Sequence, residues 1–177
     1  MRIEFATGLA LSVFIASGAL ATPGADDFRH QAMASDAFEI ASSKIALGQS
    51  DNPKVREFAR MMIHDHTLTT DHLLPGSGMT KADIEAKIAP GPDGKHKANE
   101  LIDQSHAGTL DKLGSEKDKD FDSDYMSAQV SGHKDAVDLF EDFARHGKNR
   151  HLRLWARKTL PTLKMHLARA QGLDKGM

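Results

Sequence analysis

Apolar positions recur along this chain every three or four residues, and no segment alternates with the period of two that a strand requires, so the pattern is helical throughout. The clearest stripe is Val55, Phe58, Ala59, Met62, His66, Thr69 and Leu73. Asn52 opens that helix as a side-chain cap, and Pro53 follows at the first helical position, where its missing N–H costs nothing. The run "PGSG" at 75–78 stops it near Leu74. A first helix covers about 26–49 and ends near Gly48. Thr80 and Asp83 read as a capping box that opens a short helix, which "PGPDG" at 90–94 closes. The helical period continues over about 95–113. A long helix then runs from about Asp118 to His146, broken at Gly147, and a last one from Asn149 to about Gln171, with Pro161 expected to kink it and free the carbonyl of Arg157. The predicted fold class is all-α.

An internal repeat turns these elements into a topology. "NPKVREFAR" at 52–60 and "NRHLRLWAR" at 149–157 share the capping Asn, an apolar residue one turn in, an Arg, an aromatic and a final Ala-Arg. The second and fourth long helices therefore occupy equivalent places, each closing an antiparallel hairpin. Roughly 40 residues separate the hairpins, enough to run the 30 to 40 Å length of such helices. The expected architecture is a ferritin-like four-helix bundle with a long helical crossover between the second and third long helices. Up-down-up-down topology with an inserted subdomain is the alternative.

Sorting by face then singles out a polar cluster. His66 lies within the stripe of its helix, whereas His64 points the other way. The third long helix carries His133 amid Met126, Val130, Val137, Phe140 and Ala144, and the fourth carries His166 amid Leu152, Trp155, Thr159, Leu163 and Ala170. The first offers Glu39 on the row Phe28, Ala32, Ser35, Ser42 and Ala46. Counting from Asn52 puts Glu39 level with His66, and counting from Asn149 puts His133 level with His166. With one crossover the two turns fall at opposite ends, so all four groups converge near mid-bundle. Three imidazoles and a carboxylate either form a hydrogen-bonded network or hold one divalent ion, a set suited to Zn, Fe, Mn or Cu. Met62, Met126 and Met165 read as core filling.

Composition narrows the setting. "MRIEFATGLALSVFIASGALA" has a basic residue near its start, an apolar run of about 16 residues, too short to span a bilayer, and an A-x-A site ending at Ala21. Residues 1–21 read as a signal peptide and 22–177 as one helical domain, with no transmembrane span in the mature chain and a periplasmic or secreted destination. Cys is absent, so the fold holds itself by packing and any metal must use His, Asp, Glu or Met. A net charge of −2 with interspersed signs argues against nucleic acid as a partner. An envelope protein or a second copy of the chain remains a candidate partner. No nucleophile elbow, phosphate loop or redox Cys pair occurs.

The stretches "FARMMIHDHT", "FDSDYMSAQVSGHKDAVDLFEDFA" and "TLPTLKMHLARA" resemble the exported bacterial proteins grouped as domain of unknown function 4142, a ferritin-like family often labelled an outer membrane protein. The resemblance spans about Phe28 to Ala170 and implies the ferritin-like fold. Its motif positions fall on Glu39, Asp65, His66, Tyr125, His133, Pro161 and His166, so they include the candidate metal set of Glu39, His66, His133 and His166, with Asp65 and Tyr125 as its expected outer support. The Glu-x-x-His of di-iron ferritins is missing, since Ile63 and Leu163 stand three residues before His66 and His166. Ferroxidase or iron-storage activity is not expected. Two function classes follow: an envelope stress or binding module whose Glu/His cluster is structural, or a metal-binding protein acting on reactive oxygen species. Whether the chain is an enzyme is left undecided. If Ala21 ends the leader, intact mass of the exported protein corresponds to a chain beginning at Thr22; a full-length chain held in the membrane would refute this.

Overall fold

Two hairpins and a crossover account for the whole of the computed structural model, which describes residues 24–176; the leader over 1–21 lies outside the described residues. The helices are α1 (Ala25–Gln49), α2 (Pro53–Leu73), α3 (Lys81–Ile88), α4 (Gln104–Ser115), α5 (Asp118–His146) and α6 (Arg150–Asp174), and no strand occurs among the described residues. No described helix is long and apolar enough to cross a membrane.

The repeat builds the two turns by the same chemistry. Asn52 Oδ1 accepts from the Lys54 amide at 3.0 Å, and Asn149 Oδ1 from the Leu152 amide at 3.1 Å. The shared arginines then reach back to the end of the preceding helix. Arg56 donates to the carbonyls of Leu47 and Ser50, and Arg153 to that of Gly147, so each clamps its hairpin by satisfying carbonyls that a helix end leaves free.

Packing fixes the direction of each element. At one end Phe28 of α1 stacks on Phe143 of α5 with ring centroids 3.9 Å apart, and meets Phe140 edge-on at 5.1 Å. At the other end Ala46 and the start of α2, Val55 and Phe58, pack with Phe121, Tyr125 and Met126 near the start of α5 and with Ala170 near the end of α6. Thus α5 runs antiparallel to α1, and the two turns sit at opposite ends, as the repeat implies. The crossover leaves α2 beside Asp26 and Met33, follows α1, and ends where Gln49 donates to the Gly114 carbonyl at 2.7 Å.

Because α3 and α4 cover the face of α1 that the hairpins leave open, every residue of α1 from Asp36 to Ser43 is buried. That all-round burial explains why α1 shows no clean apolar stripe in its sequence.

Three local expectations change. Thr70, not Thr69, lies on the buried face of α2. Residues 95–103 are not helical. Asn99 Oδ1 there accepts from the amides of Leu101 and Ile102, Asp103 caps α4, and these side chains outcompete the helical ladder. Met165 is exposed on α6, whereas Met62 and Met126 do fill the core. Helix α6 continues on both sides of the exposed Pro161.

Asn52→Ala and Asn149→Ala should each lower stability by about 1 kcal/mol in denaturant melts. Sitting at opposite ends, the two should add to within about 0.5 kcal/mol. Strong non-additivity in the double variant would contradict the turn placement.

Candidate metal centre

Between the Phe28 layer and the Phe58 layer the core becomes polar. His66 of α2, His133 of α5 and His166 of α6 meet there at 2%, 0% and 1% exposure. Their ring centroids form a nearly equilateral triangle of 5.4, 5.5 and 5.4 Å sides. One ring nitrogen from each lies within 4.8 Å of those of the other two.

The outer nitrogen of every ring has a hydrogen-bond partner. His66 Nδ1 lies 2.8 Å from Asp36 Oδ1, and Thr70 donates to the other oxygen of that carboxyl at 3.0 Å. His133 Nδ1 donates to the Gln129 carbonyl at 2.9 Å, with Glu39 Oε1 at 3.5 Å. His166 Nε2 lies 2.9 Å from Asp65 Oδ2. The remaining nitrogens, His66 Nε2, His133 Nε2 and His166 Nδ1, are buried and have no hydrogen-bond partner among the described residues.

Burial governs the protonation of the cluster. It pushes His66 down to about 4 and His133 to about 3, the latter helped by the neighbouring His66, and it lowers His166 as well. It pushes Glu39 up to about 8 and holds Asp36 well above the usual carboxylate range despite the hydrogen bond from Thr70. For the half-exposed Asp65 burial acts the same way, but hydrogen bonds from His64 and His166 outweigh it and keep its carboxyl low. The imidazoles are therefore neutral at pH 7. A carbonyl can only accept, so the proton of His133 sits on Nδ1 and its Nε2 carries a bare lone pair. The ionised Asp65 imposes the corresponding tautomer on His166, which leaves Nδ1 bare.

The structure brings together His66, His133 and His166 and places the other expected residues around them. Glu39 is fully buried but stands behind His133, on the side of its bonded nitrogen. Gly132 makes that approach possible, because a Cβ there would lie 2.8 Å from Glu39 Oε1. The carboxylate level with His66 is Asp36, not Glu39. The count from Asn52 had given rise to Ser50, Asp51 and Asn52, which are not helical; counted from the helix ends, Asp36 lies as far before Gln49 as His66 lies after Pro53. Asp65 reaches His166 directly. Tyr125 lies in the Phe58 layer, hydrogen-bonded to Ser43 at 2.8 Å and stacked on Phe121. His64 is outward as expected, yet its Nδ1 is 2.7 Å from Asp65 Oδ1, so it touches the outer edge of the cluster.

Gln129, also missed by the apolar stripe, is fully buried and donates to Ser42 at 3.2 Å, tying α5 to α1 beside Glu39.

Linkage separates the two kinds of group. With a folded value near 8 against 4.5 unfolded, Glu39 holds a proton in the metal-free fold that the unfolded chain lacks, so its contribution falls as pH rises from about 4.5 to 8. The imidazoles work oppositely, and only below about 6.5, where the unfolded chain takes up protons that the fold refuses. Between pH 6.5 and 8 the metal-free protein should therefore lose stability, and Glu39→Gln should flatten that slope by up to about 1.4 kcal/mol per pH unit. An unchanged slope in urea melts would mean that Glu39 is already ionised in the fold.

Comparison with known proteins adds a fold and a family. No curated protein matches the chain in sequence. Among solved structures, a secreted protein of the DUF305 group from Streptomyces coelicolor shares the fold with a TM-score of 0.64 at 14% identity, over 85% of this chain and 91% of that one. CopM in its Cu(II)-bound form does so with a TM-score of 0.62 at 14% identity, over 85% of this chain and 95% of its own. At such identities the likeness is one of fold alone. The family model described as Domain of unknown function (DUF4142) matches residues 15–173, nearly the whole bundle, and the chain belongs to that family.

Proposed function

We propose that this protein is an exported metal-binding bundle whose ligands are His66, His133 and His166. The observation that carries the reading is the set of three buried, unpartnered ring nitrogens facing one another while each outer nitrogen is hydrogen-bonded. Neutral imidazoles so arranged leave the lone pairs of His133 Nε2 and His166 Nδ1 desolvated and His66 Nε2 without a partner, a cost in free energy that one cation would offset. Ligating histidines commonly give their other N–H to a carboxylate or backbone carbonyl, which fixes ring and tautomer. Asp36, the Gln129 carbonyl and Asp65 have that role here, with Glu39 reinforcing His133.

Charge points the same way. Burial pushes the carboxyl of Glu39 up to about 8, with Asp36 adding to the rise, and holds that of Asp36 well above the usual carboxylate range. A dication among the imidazoles would let both ionise, so uptake at neutral pH releases protons. Imidazole donors suit Zn, Cu, Fe and Ni, and the fold neighbour whose structure holds Cu(II) makes copper the first metal to try. The leader-like segment supports export. This ranks the metal-binding reading above a purely structural cluster in an envelope module, because a self-sufficient network would not leave all three inner nitrogens bare. It does not extend to a reaction on oxygen species.

Calorimetry and metal analysis of the folded protein should find one Cu(II) or Zn(II) per chain, with a raised melting temperature, since the ion binds only the folded state. Alanine at His66, His133 or His166 should abolish the effect. Asp36→Asn and Asp65→Asn should weaken binding by about 10 to 100-fold. Alanine at the exposed His151 should change nothing. Absence of metal from the purified protein, with equal melting in its presence, would leave the cluster a hydrogen-bond network.

A further inference from the structure

The side of the triad that faces α2 and α6 differs from the others. Towards α1 and α5 it is sealed by Asp36, Glu39, Gln129 and Ser42, all buried. The backbones of α2 and α6 stand further apart than those of either hairpin, and side chains bridge them, Asp65 to His166, Glu57 to Arg169 and His72 to Trp155. The gap between them is a cleft of about 460 Å³, and both His66 and His166 line it.

Donor counting gives this gap a role. Zinc and its neighbours take at least four ligands, and sites with three protein ligands keep the next position for a solvent-derived one. The carboxyls near the triad are engaged on its outer nitrogens: Asp36 on His66, Asp65 on His166, and Glu39 beside the bonded nitrogen of His133. Among the described residues no further His, Asp or Glu joins the three histidines as a ligand set. Of the hydroxyls in the cleft wall, those of Thr69 and Thr159 are turned back onto carbonyls of their own helices, and Thr162 is exposed. At the mouth Lys158 makes no ion pair among the described residues and supplies positive potential, while Leu68 and Met165 form an apolar rim at 57% and 47% exposure.

We propose that the metal takes its remaining ligand from solvent through the α2/α6 cleft, and that the ligand is a small monodentate anion or neutral donor. The proposal rests on the metal-binding reading above.

The test uses the full mature chain loaded with Cu(II), its stoichiometry fixed first by calorimetry, and sodium azide as the probe. Azide should produce a new, saturable ligand-to-metal charge-transfer band. Thr162→Trp, at an exposed position in the cleft wall, should weaken azide binding at least tenfold and leave metal stoichiometry unchanged. Met165→Trp on the same rim is a second plug should the first variant fold poorly. Asp135→Trp, exposed beside the separate cavity between α1, α4 and α5, should have no effect. One bound Cu(II) with a spectrum indifferent to azide would overturn the open position while leaving the metal site standing. Equal azide affinity in the wild type and both plugged variants would overturn the cleft route. Failure of Cu(II) to bind at all would overturn both readings and would appear already in the calorimetry.

Discussion

Everything about this bundle bends around the cost of placing ionisable side chains in the middle of an apolar core. Two carboxyls and three imidazoles are buried between one layer built on Phe28, Phe140 and Phe143 and another built on Phe58, Phe121 and Tyr125. Unpaired, any of them would cost several kcal/mol. The layer survives because each imidazole has one nitrogen hydrogen-bonded and because neighbouring groups answer one another across helices. His66 meets Asp36 between α2 and α1, His166 meets Asp65 between α6 and α2, and Gln129 meets Ser42 between α5 and α1.

That requirement explains the shape of the scaffold. Asp36 and Glu39 can be screened from water only if α1 is covered all round, and the crossover through α3 and α4 does this. A simple four-helix arrangement with short loops would leave one face of α1 wet. The crossover also places the turns at opposite ends, so every neighbouring pair of long helices is antiparallel. Residues deep within each hairpin then meet at one level. The outcome is a bundle closed on the α1 side and loosely closed between α2 and α6.

What such an interior can do follows from its charge and its lone pairs more than from its ancestry. Membership of the DUF4142 family and fold likeness to a DUF305 protein and to CopM establish the scaffold, not a reaction. The triad brings three neutral rings together with their inner nitrogens unpartnered, the arrangement on which the proposed metal site rests. Burial that depresses the imidazole pKa values also keeps protons from competing at neutral pH.

The helices, the paired caps at Asn52 and Asn149, the hairpin repeat and the inward histidines were legible in the chain because each depends on periodicity or on a few adjacent residues. Even the level of His133 with His166 could be counted, since turns are short and helical rise is constant. Other features depended on contacts that local sequence does not encode. Asp36 lies off the row that carries Glu39, and its place is set by His66 and Thr70 on α2, as that of Gln129 is set by Ser42 on α1. Residues 95–103 carry helical spacing, but Asn99 and Asp103 form better local bonds outside a helix. Which nitrogen of each imidazole finds a partner, and that His66 and His166 line a cleft between α2 and α6, only the packed structure decided. Both are settled by where acceptors on other helices happen to stand, and the positions of those acceptors exist only once the helices have come together.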